Sequence, residues 1–162
     1  MKGTVKGKVT LGAENYVYIV GNITYADVRA DMIGIVGQNA VWIWNPMDNI
    51  VDNSGINNDS GDAMLGQGRT VYGSLLSVAH TIQVQNYQVG GNRGTLKIVG
   101  SMAQRYRGTV GIGTTGFAKD YGYDDRLTYT SPPKFLAPTS TTFDSTQIAG
   151  VPAAYAPNGA PR

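Results

Sequence analysis

Short apolar runs separated by small and polar residues recur along this chain. YVYI at residues 16–19 and VWIW at 41–44 alternate in the period-2 pattern of a strand with two different faces. GTLKIVGSMAQRYRG (94–108) follows HTIQVQNYQVGGNRG (80–94), and the two read as consecutive strands. The same pattern appears upstream in GAENYVYIVGNITYA (12–26) and IVGQNAVWIWNP (35–46). The tripeptide Ile-Val-Gly returns at 19–21, 35–37 and 98–100, each time among apolar-rich runs. A further strand pair centres on Leu75–Ala79 and Ile82–Val84. Short strands with small-residue corners, repeating at a period of roughly 20, predict an all-β parallel β-solenoid (β-helix). An antiparallel sandwich shares the short strands, but Asn-Gly and Asp-Gly hairpin signals are missing between the core runs. Asn15, Asn39 and Asn86 fall at expected corners, where asparagine tolerates left-handed backbone.

Two segments break the pattern. Residues 46–70 are rich in Asp, Asn, Ser and Gly and predict a long polar loop thrown out from one coil. After Arg107 the chain turns to Gly, Thr, Tyr and Pro, so the coils are expected over 1–108. An extended tail, 109–162, then packs along or caps the solenoid, with Phe117, Tyr121, Tyr123, Tyr129 and Phe135 as anchors. The end of that tail has little to bury. Residues 1–10 resemble a strand already in progress, which predicts a segment of a longer protein.

Composition supports the pattern. The chain has 22 glycines, 15% charged residues and a single glutamate, Glu14, against ten aspartates. Residues that fill helix surfaces are scarce. The net charge of +2 does not by itself call for a polyanion. With no cysteine there is no disulfide, thiolate metal site or thiol nucleophile. No apolar run is long enough for a membrane-spanning helix.

Candidate chemistry is thin. Gly111–Gly116 matches G-x-G-x-x-G in letters, but no helix pattern follows to receive a pyrophosphate, so it reads as a glycine-rich crossover. His80, the single histidine, lies in VAHTIQV without a nucleophile elbow and reads as a structural imidazole within a strand. Glycan cleavage would need paired carboxylates. Of the available pairs, adjacent Asp124 and Asp125 point to opposite faces in extended chain, and Asp27 and Asp31 flank Arg29 in what reads as a solvated turn, so neither is suited. Asp48, Asp52, Asp59 and Asp62 in the loop are weak calcium candidates whose spacing misses an EF-hand. No cofactor and no catalytic residue is predicted.

The functional hint is aromatic. If Val41 and Ile43 face the core, then Trp42 and Trp44 face out, with Tyr16 and Tyr18 beside them on the next rung. Such a strip suits sugar stacking or a protein interface. Core placement of the tryptophans, or cover by the tail, are the competing registers, and large aromatics are commonly buried. Arg105 and Arg107 are expected to share a face, extended by Lys97 and Arg93 into a basic strip for phosphates or paired with Asp124 or Asp125.

Several stretches together resemble a family of type IV pilus-associated surface proteins of actinobacteria and the Deinococcus–Thermus group. They are ENYVYIVGNITY (14–25), His80, Val84–Tyr87, Gly94–Leu96, Ala103–Gly108, Asp124–Leu127 and Ser131–Pro133. The resemblance implies a parallel β-solenoid mounted on a pilin-like or membrane-anchored part, serving adhesion or DNA capture. It carries over no catalytic residue. The expected function is therefore a non-enzymatic, extracellular or cell-surface structural and adhesive module. Its partners would be further copies stacked end to end, the rest of a larger surface protein, glycan or DNA. The alternative is a polysaccharide-active lyase or hydrolase on a β-helix.

Overall fold

The computed structural model describes residues 1–45, 68–88 and 91–135, and it is a β-solenoid of about 4 turns. The first turn consists of β1 (Gly3–Val5), β2 (Lys8–Ala13) and β3 (Tyr16–Ile19). The second repeats it with β4 (Ile23–Tyr25), β5 (Met32–Gly37) and β6 (Ala40–Ile43). In the third turn β7 (Arg69–Ser77) is followed by β8 (Ile82–Val84). The fourth opens with β9 (Asn92–Gln104), and β10 (Gly111–Ile112) and β11 (Thr115–Tyr123) are the last strands among the described residues. All rungs pair in parallel, and the one antiparallel contact among them is the β10–β11 hairpin.

Successive coils place like on like. Thr4 and Thr24, 20 residues apart, meet through their hydroxyls, and Asn39 donates its amide to Asn15, 24 residues back. Inside, Val17, Val41 and Ile82 form one column. Leu11, Ile35, Leu75 and Met102 form another. Burying these columns is what stabilises the stack, because no single coil encloses its own apolar face.

The cross-section changes along the axis. In the first two turns the corner between the first two faces is a loop; in the next two it is a bend inside one long strand. The N-terminal half of β7 pairs with β4 and its C-terminal half with β5, and the bend falls at Gly73. Gly100 of β9 lies in register with it. Both have φ in the region open to glycine, +149° and +154°.

The corner of the earlier turns is organised by Asp31. Its buried carboxylate accepts from the backbone N–H of Asp27 (2.7 Å) and of Gly7 in the preceding coil (2.6 Å). Those two bonds, Asp27's first, hold its pKa below the ordinary aspartate value. Asp124 is likewise lowered, mainly by its side-chain bond to Arg126. Carboxylates with lowered folded pKa values stabilise the protein above the unfolded value of about 3.9, and the contribution disappears as pH falls through the folded values. Thermal stability is therefore expected to drop from about pH 4 downward. Asp31→Asn should be less stable than the parent at neutral pH and lose part of that acid dependence. Melting curves across pH 3–7 test this, and parallel profiles for parent and variant would count against it.

The pattern ends the coils near Arg107, but the parallel sheet continues through β11. Ala118 to Tyr123 pair with Thr95 to Gly100. Gly-rich, Tyr-rich sequence conceals this rung because β11 is the last one described, so Lys119 and Tyr121 occupy core register yet remain exposed. The loop expected over 46–70 also ends earlier, since β7 begins at Arg69. Of the expected tail anchors, Phe117 is buried at the end of the core, and Phe135 lies against Gly34, where a Cβ would come within 2.5 Å of its ring. Tyr129 is 91% exposed and anchors nothing. Asn86 has the left-handed backbone expected of a corner (φ 48°), whereas Asn15 and Asn39 do not and serve as a side-chain ladder instead.

From β11 the chain turns through a short 3-10 helix, Asp125–Thr128, capped by Asp124. Arg126 then reaches back across the coils. Its guanidinium grips both oxygens of Asp124 (2.7–3.2 Å), donates to the Asp31 carbonyl (3.0 Å) and lies over the Tyr25 ring. Burial raises the Tyr25 pKa.

Candidate functional site

The sheet β3–β6–β8 has an inner face of Val17, Ile19, Val41, Ile43, Ile82 and Val84, all buried. Strand alternation then sends Tyr16, Tyr18, Trp42 and Trp44 to the outer face. The register with Val41 and Ile43 inside is the one the fold adopts. Tyr18 sits directly beside Trp42, and Tyr16 beside Ala40.

The four rings form one cluster. Centroid distances are 6.2 Å for Tyr16–Tyr18, 5.9 Å for Tyr16–Trp42, 6.0 Å for Tyr18–Trp42 and 5.7 Å for Tyr18–Trp44. Interplanar angles from 53° to 83° are the tilted and edge-to-face arrangements aromatic pairs prefer. Mutual packing leaves both tryptophans half-buried, while the tyrosines stay 40% and 37% exposed. The indole N–H of Trp42 has no hydrogen-bond partner among the described residues.

Beside the cluster lies a shallow depression of about 240 Å³ lined by Tyr16, Trp42 and Ala40. Asn39, His80, Thr81 and Gln83 supply its polar rim. Sequence reasoning missed these rim residues because they come from two coils, and only the register brings them together with Tyr16 of a third. An available signal was the small Ala40 in a rung whose neighbour carries Tyr16. His80 is not within a strand. It sits exposed in the bend before β8, and its backbone N–H donates to Asn39.

The expected basic strip is not assembled. Arg93 is buried, and Lys97 pairs across the rung with Asp120 at 3.7 Å, both exposed. Arg105 lies over the Tyr106 ring, which also packs near His80. Arg107 instead borders the end of the core beside Tyr121. The chain leaves strand geometry after Gln104, so the i, i+2 rule that would align the two arginines no longer applies. Asp124 pairs with Arg126 rather than with either of them.

The carboxylate pairs are also engaged structurally. Asp31 closes a corner and Asp27 accepts from the Arg29 N–H, while Asp124 caps the helix that Asp125 begins. Gly111–Gly116 forms the β10–β11 hairpin and leads into a strand, not a helix. Among the described residues no group of three or more His, Cys, Asp or Glu could hold a metal. Asp48, Asp52, Asp59 and Asp62 lie outside those residues, as does the tail beyond Phe135. No described helix is long and apolar enough to cross a membrane. No family model, curated protein or solved structure matches the chain.

Proposed function

We propose that this chain is a non-enzymatic extracellular β-solenoid module, a segment of a pilus-associated or cell-surface protein. It acts as a structural and adhesive element, and the outer face of β3–β6–β8 is its contact surface. The observation that carries this reading is the grouping of Tyr16, Tyr18, Trp42 and Trp44 on one sheet face rather than in the core. Aromatic side chains give large contact area at low entropic cost, which suits adhesion. End-to-end stacking of copies belongs to the same reading, because the outer edge of Ala118–Tyr123 has no partner strand among the described residues.

The full chain is expected to be retained on at least one member of a panel of polysaccharides, DNA and bacterial surfaces, and to release no product from it. Appearance of oligosaccharides would overturn the reading in favour of a polysaccharide-active enzyme. Retention on no surface would sink the adhesive role.

A further inference from the structure

We propose that the outer aromatic face binds a neutral polysaccharide, with one sugar ring seated in the depression that Tyr16 and Trp42 border. This rests on the adhesive reading above and names its ligand class. Sugars present apolar C–H faces bordered by hydroxyls, so they need flat aromatic surface next to groups that both donate and accept. Tyr16 and Trp42 supply the surface.

The rim supplies both kinds of hydrogen-bonding group, already oriented. Thr81 Oγ1 bonds Gln83 Oε1 at 3.1 Å, which leaves the Gln83 amide nitrogen as a donor. Asn39 gives its nitrogen to Asn15 at 3.0 Å, which leaves its oxygen as an acceptor. The aromatic rings are held by one another and by the ladder beneath them, so little order is lost on binding.

Size and charge narrow the class. At about 240 Å³ the depression is smaller than a pocket for a whole drug-sized molecule, which fits one ring of a polymer. Tyr18 and Trp44 continue the aromatic surface along the strands for the neighbouring sugars. Among the described residues no Lys, Arg, Asp or Glu lines the depression. Nucleic acids and acidic polysaccharides, whose recognition leans on cations, have no counter-charge there.

Trp42 and Trp44 are the only two tryptophans in the chain, so tryptophan emission, excited selectively over the ten tyrosines, reports on this face. The full chain is titrated with soluble β-glucan, mannan and chitin oligosaccharides, and separately with alginate and single-stranded DNA. A saturable change in emission with at least one neutral glycan is expected, and none with alginate or DNA. Gln83→Ala and Trp42→Ala should each weaken binding about tenfold or more. Gln83 lies beside Trp42 in register, so the unliganded emission maximum and melting temperature of Gln83→Ala are compared with the parent's, and both should match if the aromatic cluster is intact. A response only to DNA or alginate overturns the proposal, as does unchanged affinity in both variants. So does emission that varies with protein concentration alone, which would mean a second copy covers the face. Glycan retention without an emission change leaves adhesion standing and moves its site elsewhere; loss of both removes the adhesive reading itself.

Discussion

Gly100→Ala is expected to destabilise the protein by about 4 kcal/mol or more, from strain and overpacking together. An added Cβ would lie 1.9 Å from the Gly73 carbonyl oxygen and 2.6 Å from its carbon. These are backbone atoms of the neighbouring rung, so no side chain can swing aside. The φ of +154° adds its own penalty for an L side chain. A native domain has only about 5–15 kcal/mol to lose, so most of the stability should go. Gly122→Ala, one rung further along, meets nothing within 4 Å and has no positive φ. It should stay within about 0.5 kcal/mol of the parent. Urea unfolding of the two variants checks this, and equal effects at both positions would refute the stacked-corner account.

The second large effect concerns depth within a column. Leu11 and Leu75 face inward in the same column, separated by Ile35. Leu75 is fully buried between Ile35 and Met102, whereas Leu11 lies in the first described coil and is 44% exposed. Leu75→Ala should cost about 3–4 kcal/mol through lost burial and the cavity left behind. That corresponds to a fall in melting temperature of roughly 10 °C. Leu11→Ala should cost under about 1 kcal/mol, since much of its side chain already meets water. Comparable losses at the two sites would mean that the first coil is covered by something other than the described residues.

The solenoid was legible because its signal is repetitive. Alternation in YVYI and VWIW assigns inner and outer faces correctly once one register is chosen, and the fold chooses it by burying Val17, Ile19, Val41 and Ile43. The Ile-Val-Gly tripeptide was a less direct guide. Its copies do not stack on one another: Ile19 pairs with Ile43, Ile35 with Leu75, and Ile98 with Val71. What the copies share is a buried isoleucine two residues before a glycine, which serves a corner wherever it falls. The last described rung was hidden because no described coil lies beyond it to demand apolar residues. The depression was hidden for a different reason. Asn39, Thr81 and Gln83 are ordinary polar residues in sequence, and only coil-to-coil register places them around one depression.

Stacked coils that touch only their neighbours would ordinarily loosen from either end, one at a time. Arg126 changes that connectivity. It spans 95 residues of sequence to reach Asp31, and so ties the turn after the last rung to a corner near the first. The turn after β11 and the second coil are thereby linked directly, so fraying of that turn must also release a contact at the Asp31 corner. The consequence is cooperativity: a structure assembled as a row of repeats is coupled to melt as one unit.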